Sequence, residues 1–451
     1  MGLTGSTGVL AQGLFLLTGL VSIPLTASYL GAERYGVWLT ISSLITWLSL
    51  ADFGLGGNAL VNALAEADGN DDRQTARELV ATAFWALLGF GVLIAVALVA
   101  LADFIPIDHL FRISAPALVR EVKWASILAI GSFLLTFPLG VVAAIYRGYQ
   151  RGYVGNAWIM LGNVVSLIAL VTVTRFRGGL PQLVCAISSA RVFICVLNSA
   201  YLFGSEYPWL RPSLGAIRRT ALTRLMSLGG KYAVTQLAII GVFQSQPMII
   251  TQTLGPASVL VFVVAQRLMA IPTNLAYLFT LPFVSAYGEA KARQDWAWIR
   301  HALRRSSLTC GITATGLVLL VGVFAKPLIR TWVGSQALPS NSLLAWLAIY
   351  SIATSAITPV GQFLLGIERV GAQAVTLTAG ALVTIGLSIA LVGKYGLNGI
   401  AIAMAVTAVC VTGLSQLLQA WFLSRPAAAT NAALSEEVLP DPETVDIGAE
   451  V

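Results

Sequence analysis

The chain has 451 residues, of which 57% are hydrophobic and only 10% are charged, and its net charge at neutral pH is +7. Soluble globular chains carry about 25% charged residues, so this composition excludes a soluble protein and predicts an integral membrane protein. A spanning helix needs about 20 mostly apolar residues, so the length holds a dozen helices with short connections, and function must reside within the membrane.

Apolar windows separated by charged or Gly/Pro-rich segments predict twelve transmembrane helices and an all-α fold class. In chain order they cover residues 5–29, 36–60, 79–101, 122–146, 154–174, 180–203, 228–252, 257–286, 306–325, 342–365, 372–393 and 397–422.

The distribution of positive charge predicts the orientation of these helices. With the N-terminus inside, the cytoplasmic loops are richer in Lys and Arg than the opposite loops, so we expect both termini in the cytoplasm. The segments RPSLGAIRRTALTR (211–224) and KARQDWAWIRHALRR (291–305) contribute most. Either they lie along an anionic inner leaflet as basic amphipathic segments, or they are solvated loops that obey the orientation rule.

Two short matches indicate an internal repeat. LGAERYGVWL at 30–39 aligns with LGPASVLVFV at 254–263, and GYQR at 148–151 aligns with GIER at 366–369. Six helices in each repeat predict two parallel lobes related by an axis along the membrane normal, as in alternating-access carriers. We expect an N-lobe over 1–205, a cytoplasmic linker over 206–227, a C-lobe over 228–423 and a disordered acidic tail over 424–451.

Apart from Lys123 at the edge of the fourth span, four charged side chains fall inside the predicted spans: Asp52, Arg191, Lys231 and Arg267. A lone Arg at the bilayer centre is unfavourable by at least ~2.5 kcal/mol on insertion scales, so such residues normally face a bundle interior or a wet cavity. Three of the four are cationic, which predicts a cavity for an anionic group, and a guanidinium matches phosphate oxygens well. The alternatives are burial beside an acid or backbone carbonyls for Arg267, snorkelling for Lys231, and pairing with another helix for Arg191.

Asp52, in LSLADFGLGGNAL, is the single acid within the predicted spans. It is a candidate for protonation during transport, for binding a coupling cation, or for pairing with an arginine of another helix. It is equally a candidate for exposure at the inner end of helix 2. We favour pairing or exposure over a proton relay.

Metal and cofactor chemistry is not expected. His109 and His301 lie far apart in polar loops without a second ligand at useful spacing. The sequence has no Walker pattern and no nucleotide or haem signature. We therefore expect a transporter and not an enzyme, with no nucleic-acid partner, driven by an ion gradient, the membrane potential or the gradient of its substrate.

The stretch YLGAERYGVWLTISSLITWLSLADFGLGGNAL (29–60) resembles the second helix of the bacterial polysaccharide-type flippases. In that family a Leu-Gly-x-x-x-x-Gly turn opens the helix and an Asp-x-Gly-x-Gly motif closes it. TLGPASVLVFVVAQRL and LPFVSAYGEA are similar to the counterpart in the second lobe. The resemblance extends to about residue 422 and places the chain in the multidrug/oligosaccharidyl-lipid/polysaccharide (MOP) superfamily.

This resemblance implies a two-lobed carrier that moves polyprenyl-pyrophosphate-linked oligosaccharide to the outer leaflet of the bacterial cytoplasmic membrane, for O-antigen, capsule or exopolysaccharide synthesis. Membrane lipids, a polysaccharide polymerase and H⁺ or Na⁺ as coupling ion are the candidate partners. The cationic lumen of the family maps onto Arg267 and Lys231, with Arg191 as a further candidate. We expect hydrogen bonds to sugar from Asn274, Gln246 and Gln12.

The first predicted helix departs from two other branches of the superfamily. Flippases for the peptidoglycan precursor lipid II place arginines there, and many drug exporters place an acid there for cation coupling. Residues 5–29 carry no charge in this chain. A lipid II flippase and a drug/cation antiporter therefore remain as alternatives ranked below the polysaccharide carrier.

Overall fold

Helices form nearly the whole of the computed structural model, which describes residues 2–102, 104, 106–367 and 369–424. Within this part of the chain, the side chains of 2–12, 15–17, 231–232, 234–235, 238–239 and 370 are not described. The acidic tail predicted from residue 424 onward lies, beyond Ser424, outside the described residues.

The N-terminal half contributes eight helices of the described chain. They are α1 (Gly2–Leu48), α2 (Asn58–Gly69), α3 (Arg73–Ala100), α4 (Ile107–Phe111), α5 (Pro116–Thr136), α6 (Gly140–Gly148), α7 (Gly152–Arg175) and α8 (Leu180–Tyr201). The first predicted span lies in α1, which is broken at Gly31 where φ is 78°. Because only glycine adopts this conformation without steric penalty, the chain turns there. The second span, predicted over 36–60, follows α1 only to Leu48; its last part is the turn Ser49–Asp52 and the start of α2.

The C-terminal half begins after two short 3-10 turns, Pro208–Leu210 and Leu214–Ala216. Its helices are α9 (Arg219–Leu254), α10 (Ala257–Met269), α11 (Ile271–Thr280), α12 (Phe283–Ala292), α13 (Trp296–Trp332), α14 (Asn341–Gly366), α15 (Val370–Tyr395), α16 (Leu397–Val406) and α17 (Leu414–Leu423). The span predicted over 257–286 is therefore three helices, with a bend of 40° between α10 and α11. Pro272 and Pro282 stand at these breaks, where proline cannot donate a helical hydrogen bond.

Within the described residues, eight helical segments are long and apolar enough to cross a membrane, and the bent α10–α12 segment is a ninth. The first part of α1 and the helix α9 cover two of the other predicted spans, and the second part of α1 covers the third as far as Leu48. The predicted all-α transmembrane fold is confirmed.

The backbone repeats the same local geometry in both halves. Gly31 and Gly255, the glycines of the two aligned Leu-Gly pairs, have φ of 78° and 88° and ψ of 167° and 159°. Asp72 and Asp295 cap α3 and α13 alike, each accepting a 2.9 Å hydrogen bond from the backbone N–H three residues later. These correspondences bear out the internal repeat.

Each segment of the second match is followed, eleven residues after its Arg, by a glycine, and these two glycines, Gly162 and Gly380, make equivalent contacts as well. A Cβ at Gly162 would lie 3.6 Å from Ile194, and a Cβ at Gly380 would overlap the methyl group of Thr412. The same offset of 218 residues relates the two glycines and their two partners. Each contact joins neighbouring helices within one lobe, so these two helix pairs pack alike.

The buried apolar residues form a shared core at one end of the molecule and two separate cores at the other. The shared core includes Ile41 of α1, Ile250 of α9, Phe262 of α10 and Ile329 of α13, and so joins both halves. We call this the closed end.

At the opposite end, which we call the open end, each half has its own core. Leu60 of α2 and Ile145 of α6 belong to the N-terminal one, together with Leu225 from the start of α9. Tyr287 of α12 and Phe363 of α14 belong to the C-terminal one. The apolar core is therefore continuous between the halves at the closed end and divided at the open end, where the start of α9 packs on the N-terminal core.

Candidate functional site

A cavity of about 630 Å³ lies between the two halves. Its walls come from α1, α5 and α8 on one side and from α9 and α10 on the other. The polar residues that line it are Ser42, Ser43, Thr46, Ser132, Thr136, Ser188, Arg191, Gln244, Gln266 and Arg267. Two of the three cationic residues selected from the sequence, Arg191 and Arg267, thus meet at one cavity.

Arg267 stands in the last turn of α10 and approaches α1 across the cavity. A Cβ at Gly19 would lie only 2.9 Å from its Nη1 atom, so glycine at this position makes room for the guanidinium. Arg191 reaches the same cavity from α8. The ion pairs found among the described side chains all join other residues, which leaves both guanidinium groups available to a ligand.

The cavity is positively charged because Arg191 and Arg267 line it and no Asp or Glu is among its described lining residues. Screening by water is weaker inside a membrane protein than at a surface, so two guanidinium groups there strongly favour an anion. Phosphate oxygens are the partners that match the guanidinium fork in geometry as well as in charge.

The hydroxyl groups around the arginines are oriented by their own helices. Ser42 donates to the Trp38 carbonyl at 2.9 Å, and Thr46 donates to the Ser42 carbonyl at 2.9 Å. Ser132 likewise donates to the Ala129 carbonyl at 2.8 Å. Because each proton is committed to the backbone, the oxygen atoms remain as hydrogen-bond acceptors. The cavity therefore combines cationic donors with acceptors that suit hydroxyl groups of a ligand.

Two glutamines of the cavity were missed in the sequence. Gln244 lines it, whereas Gln246, the residue selected from the sequence, is fully buried. Gln246 donates to the Val242 carbonyl at 3.1 Å, and its Oε1 atom lies 3.4 Å from the Ser388 hydroxyl of α15. Residues two positions apart face opposite sides of a helix, which explains the difference. Gln266, next to Arg267, is the second missed residue.

Asn274 is not among the residues that line the cavity. It follows the bend between α10 and α11 at Pro272, seven residues after Arg267. Its neighbour Thr273 contacts α14, with its hydroxyl 3.1 Å from that of Thr354. The bend rotates α11 toward α14.

Three further sequence-selected residues lie elsewhere or are undescribed. The side chains of Gln12 and Lys231 fall outside the described residues. Asp52 lies in a 3-10 turn, Ser49–Asp52, after the end of α1 and not within the helix as predicted. Its Oδ1 atom accepts a 2.6 Å hydrogen bond from the N–H of Gly54, so the carboxylate shapes the turn. Among the described side chains it has no ion pair.

The turn after Asp52 contacts the start of α9 through glycine. Phe53 and Gly54 have φ of 45° and 75°, a left-handed conformation that glycine tolerates best. A Cβ at Gly229 would overlap the carbonyl oxygen of Phe53. The Asp-x-Gly-x-Gly motif therefore forms a close backbone contact between the two halves of the chain.

The closed end seals one side of the cavity by direct contacts. The hydroxyls of Thr40 on α1 and Thr251 on α9 are 2.7 Å apart and buried. A Cβ at Gly36 would overlap the carbonyl oxygen of Pro256. Gln252 donates to the Leu110 carbonyl at 2.7 Å. These contacts and the shared core close this end between the halves.

The fold is similar to that of two kinds of solved transporter. A multidrug resistance MATE family transporter of the MOP superfamily, in an inward-facing conformation, matches with a TM-score of 0.77 at 14% identity, covering 94% of this chain and 96% of that one. The lipid II flippase MurJ, in an inward closed conformation, matches with a TM-score of 0.71 at 15% identity, covering 97% and 94%. These similarities show that the chain has the fold of these membrane transporters.

The sequence comparisons narrow this class to one family. The family profile described as polysaccharide biosynthesis protein matches residues 27–342, which is more than half of the chain. The chain therefore belongs to the polysaccharide biosynthesis protein family. A Yersinia pseudotuberculosis protein named for O-antigen export is 26% identical over 286 residues, which cover 61% of this chain and 62% of that relative's length.

Proposed function

We propose that this protein flips polyprenyl-pyrophosphate-linked oligosaccharide from the inner to the outer leaflet of the bacterial cytoplasmic membrane, for synthesis of O-antigen, capsule or exopolysaccharide. The observation that carries the proposal is the meeting of Arg191 and Arg267 at one cavity that no carboxylate lines. Family membership and the export function named for the Yersinia relative support it.

The two arginines stand in different lobes, Arg191 on α8 and Arg267 on α10. A diphosphate that bridges them would link the two lobes through a single ligand. The bound substrate would then interact with both sides of the interface whose rearrangement drives alternating access. The lipid chain would stay in the bilayer while the head group crosses.

The direction follows from the basic segments. Residues 211–224 lead into α9 and residues 291–305 lead into α13, both at the open end. By the positive-inside rule we place the open end and both termini in the cytoplasm. The cavity would then receive its substrate from the cytoplasmic side, with H⁺, Na⁺ or the substrate gradient as driving force and a polysaccharide polymerase as candidate partner.

The rival function is export of cationic drugs, because the MATE transporter shares the fold. A lipid II flippase is the other alternative, because MurJ shares it too. A cavity with two arginines and no lining carboxylate repels cations, which favours an anionic substrate over a drug.

The test is transport by the full chain in liposomes. Undecaprenyl-pyrophosphate-linked N-acetylglucosamine, glucose and rhamnose serve as labelled substrates, and ethidium serves as the cationic dye. We expect leaflet exchange of at least one lipid-linked sugar, at least tenfold slower with Arg267→Ala and partly restored with Arg267→Lys. Arg330→Ala, at an exposed arginine of α13, is the matched control. Transport of ethidium without any lipid-linked sugar would establish the rival, and normal sugar transport by both Arg267 variants would remove the phosphate contact.

A further inference from the structure

A second cavity, of about 400 Å³, lies within the N-terminal lobe and meets the cavity between the lobes. Its walls come from α6, α7 and α8, and Thr136 and Arg191 line both cavities. We call it the N-lobe cavity. A ligand whose phosphate is held at Arg191 can therefore extend into it.

Two amide side chains line the N-lobe cavity, those of Asn163 on α7 and Asn198 on α8. The Nδ2 atom of Asn163 is buried and has no hydrogen-bond partner among the described residues, and a rotation of this amide would turn the donor toward the cavity. Leaving such a donor unsatisfied costs about 1–3 kcal/mol, so native structures rarely keep one without a reason. Asn198 on α8 accepts a 3.2 Å hydrogen bond from the Tyr146 hydroxyl, which leaves its amide nitrogen to face a ligand.

One aromatic side chain and several small residues complete the N-lobe cavity. Trp158 lines it from α7, five residues before Asn163, and packs against Tyr201, with ring centroids 6.0 Å apart. Gly140, Ala143 and Gly155 line it as well. These small residues leave the space that a bulky ring would need.

An indole, two amides and a guanidinium are the groups that recognise a sugar ring. The apolar C–H face of a pyranose packs on an aromatic ring, and its hydroxyls exchange hydrogen bonds with amides. A polyprenyl chain would leave the Asn163 donor unsatisfied, so the amides favour a polyhydroxylated ligand over a lipid tail.

Building on the proposed function, we propose that the N-lobe cavity binds the sugar next to the pyrophosphate of the lipid-linked substrate. Trp158 stacks on that sugar, Asn163 and Asn198 donate to its hydroxyls, and Arg191 contacts both sugar and phosphate at the junction of the two cavities. The N-terminal lobe thus recognises the sugar, while the arginines at the interface between the lobes bind the diphosphate.

The test measures binding to the purified full chain in lipid nanodiscs. The probes are geranyl diphosphate and its esters with glucose, N-acetylglucosamine and rhamnose. The sugar increment is the ratio of the Kd for geranyl diphosphate to the Kd for the best ester. We expect an increment of at least tenfold, which Trp158→Ala and Asn163→Ala each reduce by about tenfold without changing the Kd for geranyl diphosphate. Trp158→Phe keeps a stacking ring and should retain most of the increment.

Trp124→Ala, at an exposed tryptophan of α5, is the control and should leave the increment unchanged. The subsite is overturned if the increment is absent for all three sugars. It is also overturned if neither Trp158→Ala nor Asn163→Ala reduces the increment. If a farnesyl ester gains affinity over the geranyl ester and Trp158→Ala removes that gain, the N-lobe cavity holds lipid and the subsite fails. Geranyl diphosphate that binds no better than geraniol contradicts the proposed function itself.

Discussion

Arg191 on α8 and Arg267 on α10 belong to different lobes and line the same cavity. Neither arginine is paired with an acid among the described side chains, and no carboxylate lines the cavity between them. Two unpaired guanidinium groups that line one cavity of a membrane protein repel each other, and an anionic ligand would offset that repulsion.

The two arginines should act as one unit. Arg191→Ala and Arg267→Ala should each slow transport of lipid-linked sugar by roughly tenfold to a hundredfold, because each removes a charged hydrogen bond worth about 1.5–3 kcal/mol. If one diphosphate bridges both, the double variant should lose less than the product of the single effects. Initial rates in liposomes for the four proteins measure this coupling, and strictly multiplicative effects would show that they contact different ligand groups.

The closed end should be lockable by a disulfide. In a background without the four native cysteines, Thr40→Cys with Thr251→Cys places two thiols where hydroxyls now stand 2.7 Å apart. Oxidation should join α1 to α9 and stop transport, and a reductant should restore it. Mass spectrometry and transport assays report the two effects, with each single cysteine variant as control. Full transport by the cross-linked protein would mean that this end does not open during the cycle.

Glycine at position 36 should be required for closure. Gly36→Ala places a Cβ against the Pro256 carbonyl oxygen, and overpacking of this kind costs about 1–3 kcal/mol. The closed end should separate more often, so maleimide should label Thr251→Cys several-fold faster. Gly322→Ala is the matched control, because a Cβ at Gly322 meets nothing within 4 Å. Equal labelling rates in the two variants would contradict this role of Gly36.

Asp52 should serve the backbone turn and not a proton relay. Asp52→Asn keeps an oxygen acceptor for the N–H of Gly54, whereas Asp52→Ala removes it. We expect near-normal transport with Asp52→Asn and a loss of thermal stability with Asp52→Ala, since a hydrogen bond of this kind contributes about 1 kcal/mol. Transport rates at several pH values and sodium concentrations test this. A pH or sodium dependence that disappears in Asp52→Asn would instead assign Asp52 to ion coupling.

The spans and the cationic residues were predictable from the sequence because both signals are local. An arginine in an apolar run, such as Arg191 or Arg267, is conspicuous whatever the packing around it. The repeat was visible at Gly31 and Gly255, where only glycine tolerates the required φ. The matching helix caps at Asp72 and Asp295 were not predicted. The residues around the two aspartates differ, although both accept the same backbone hydrogen bond.

The polar partners were not predictable, because they depend on helix rotation and on breaks. Gln246 was predicted to contact sugar, but its amide lies on the buried face of α9, and Gln244 lines the cavity instead. Asn274 follows the bend at Pro272 and does not line the cavity that Arg267 lines. The N-lobe cavity around Trp158 and Asn163 requires three helices to meet, and no spacing within a single helix predicts that.

The account rests on both arginines holding one diphosphate between the lobes, and a cryo-EM structure of the full chain with geranyl diphosphate tests this directly. We predict phosphate oxygens within about 3 Å of the guanidinium groups of Arg191 and of Arg267, in the cavity between α8 and α10. Diphosphate bound elsewhere on the molecule, while Arg191 and Arg267 pair with carboxylates beside an empty cavity, would contradict it.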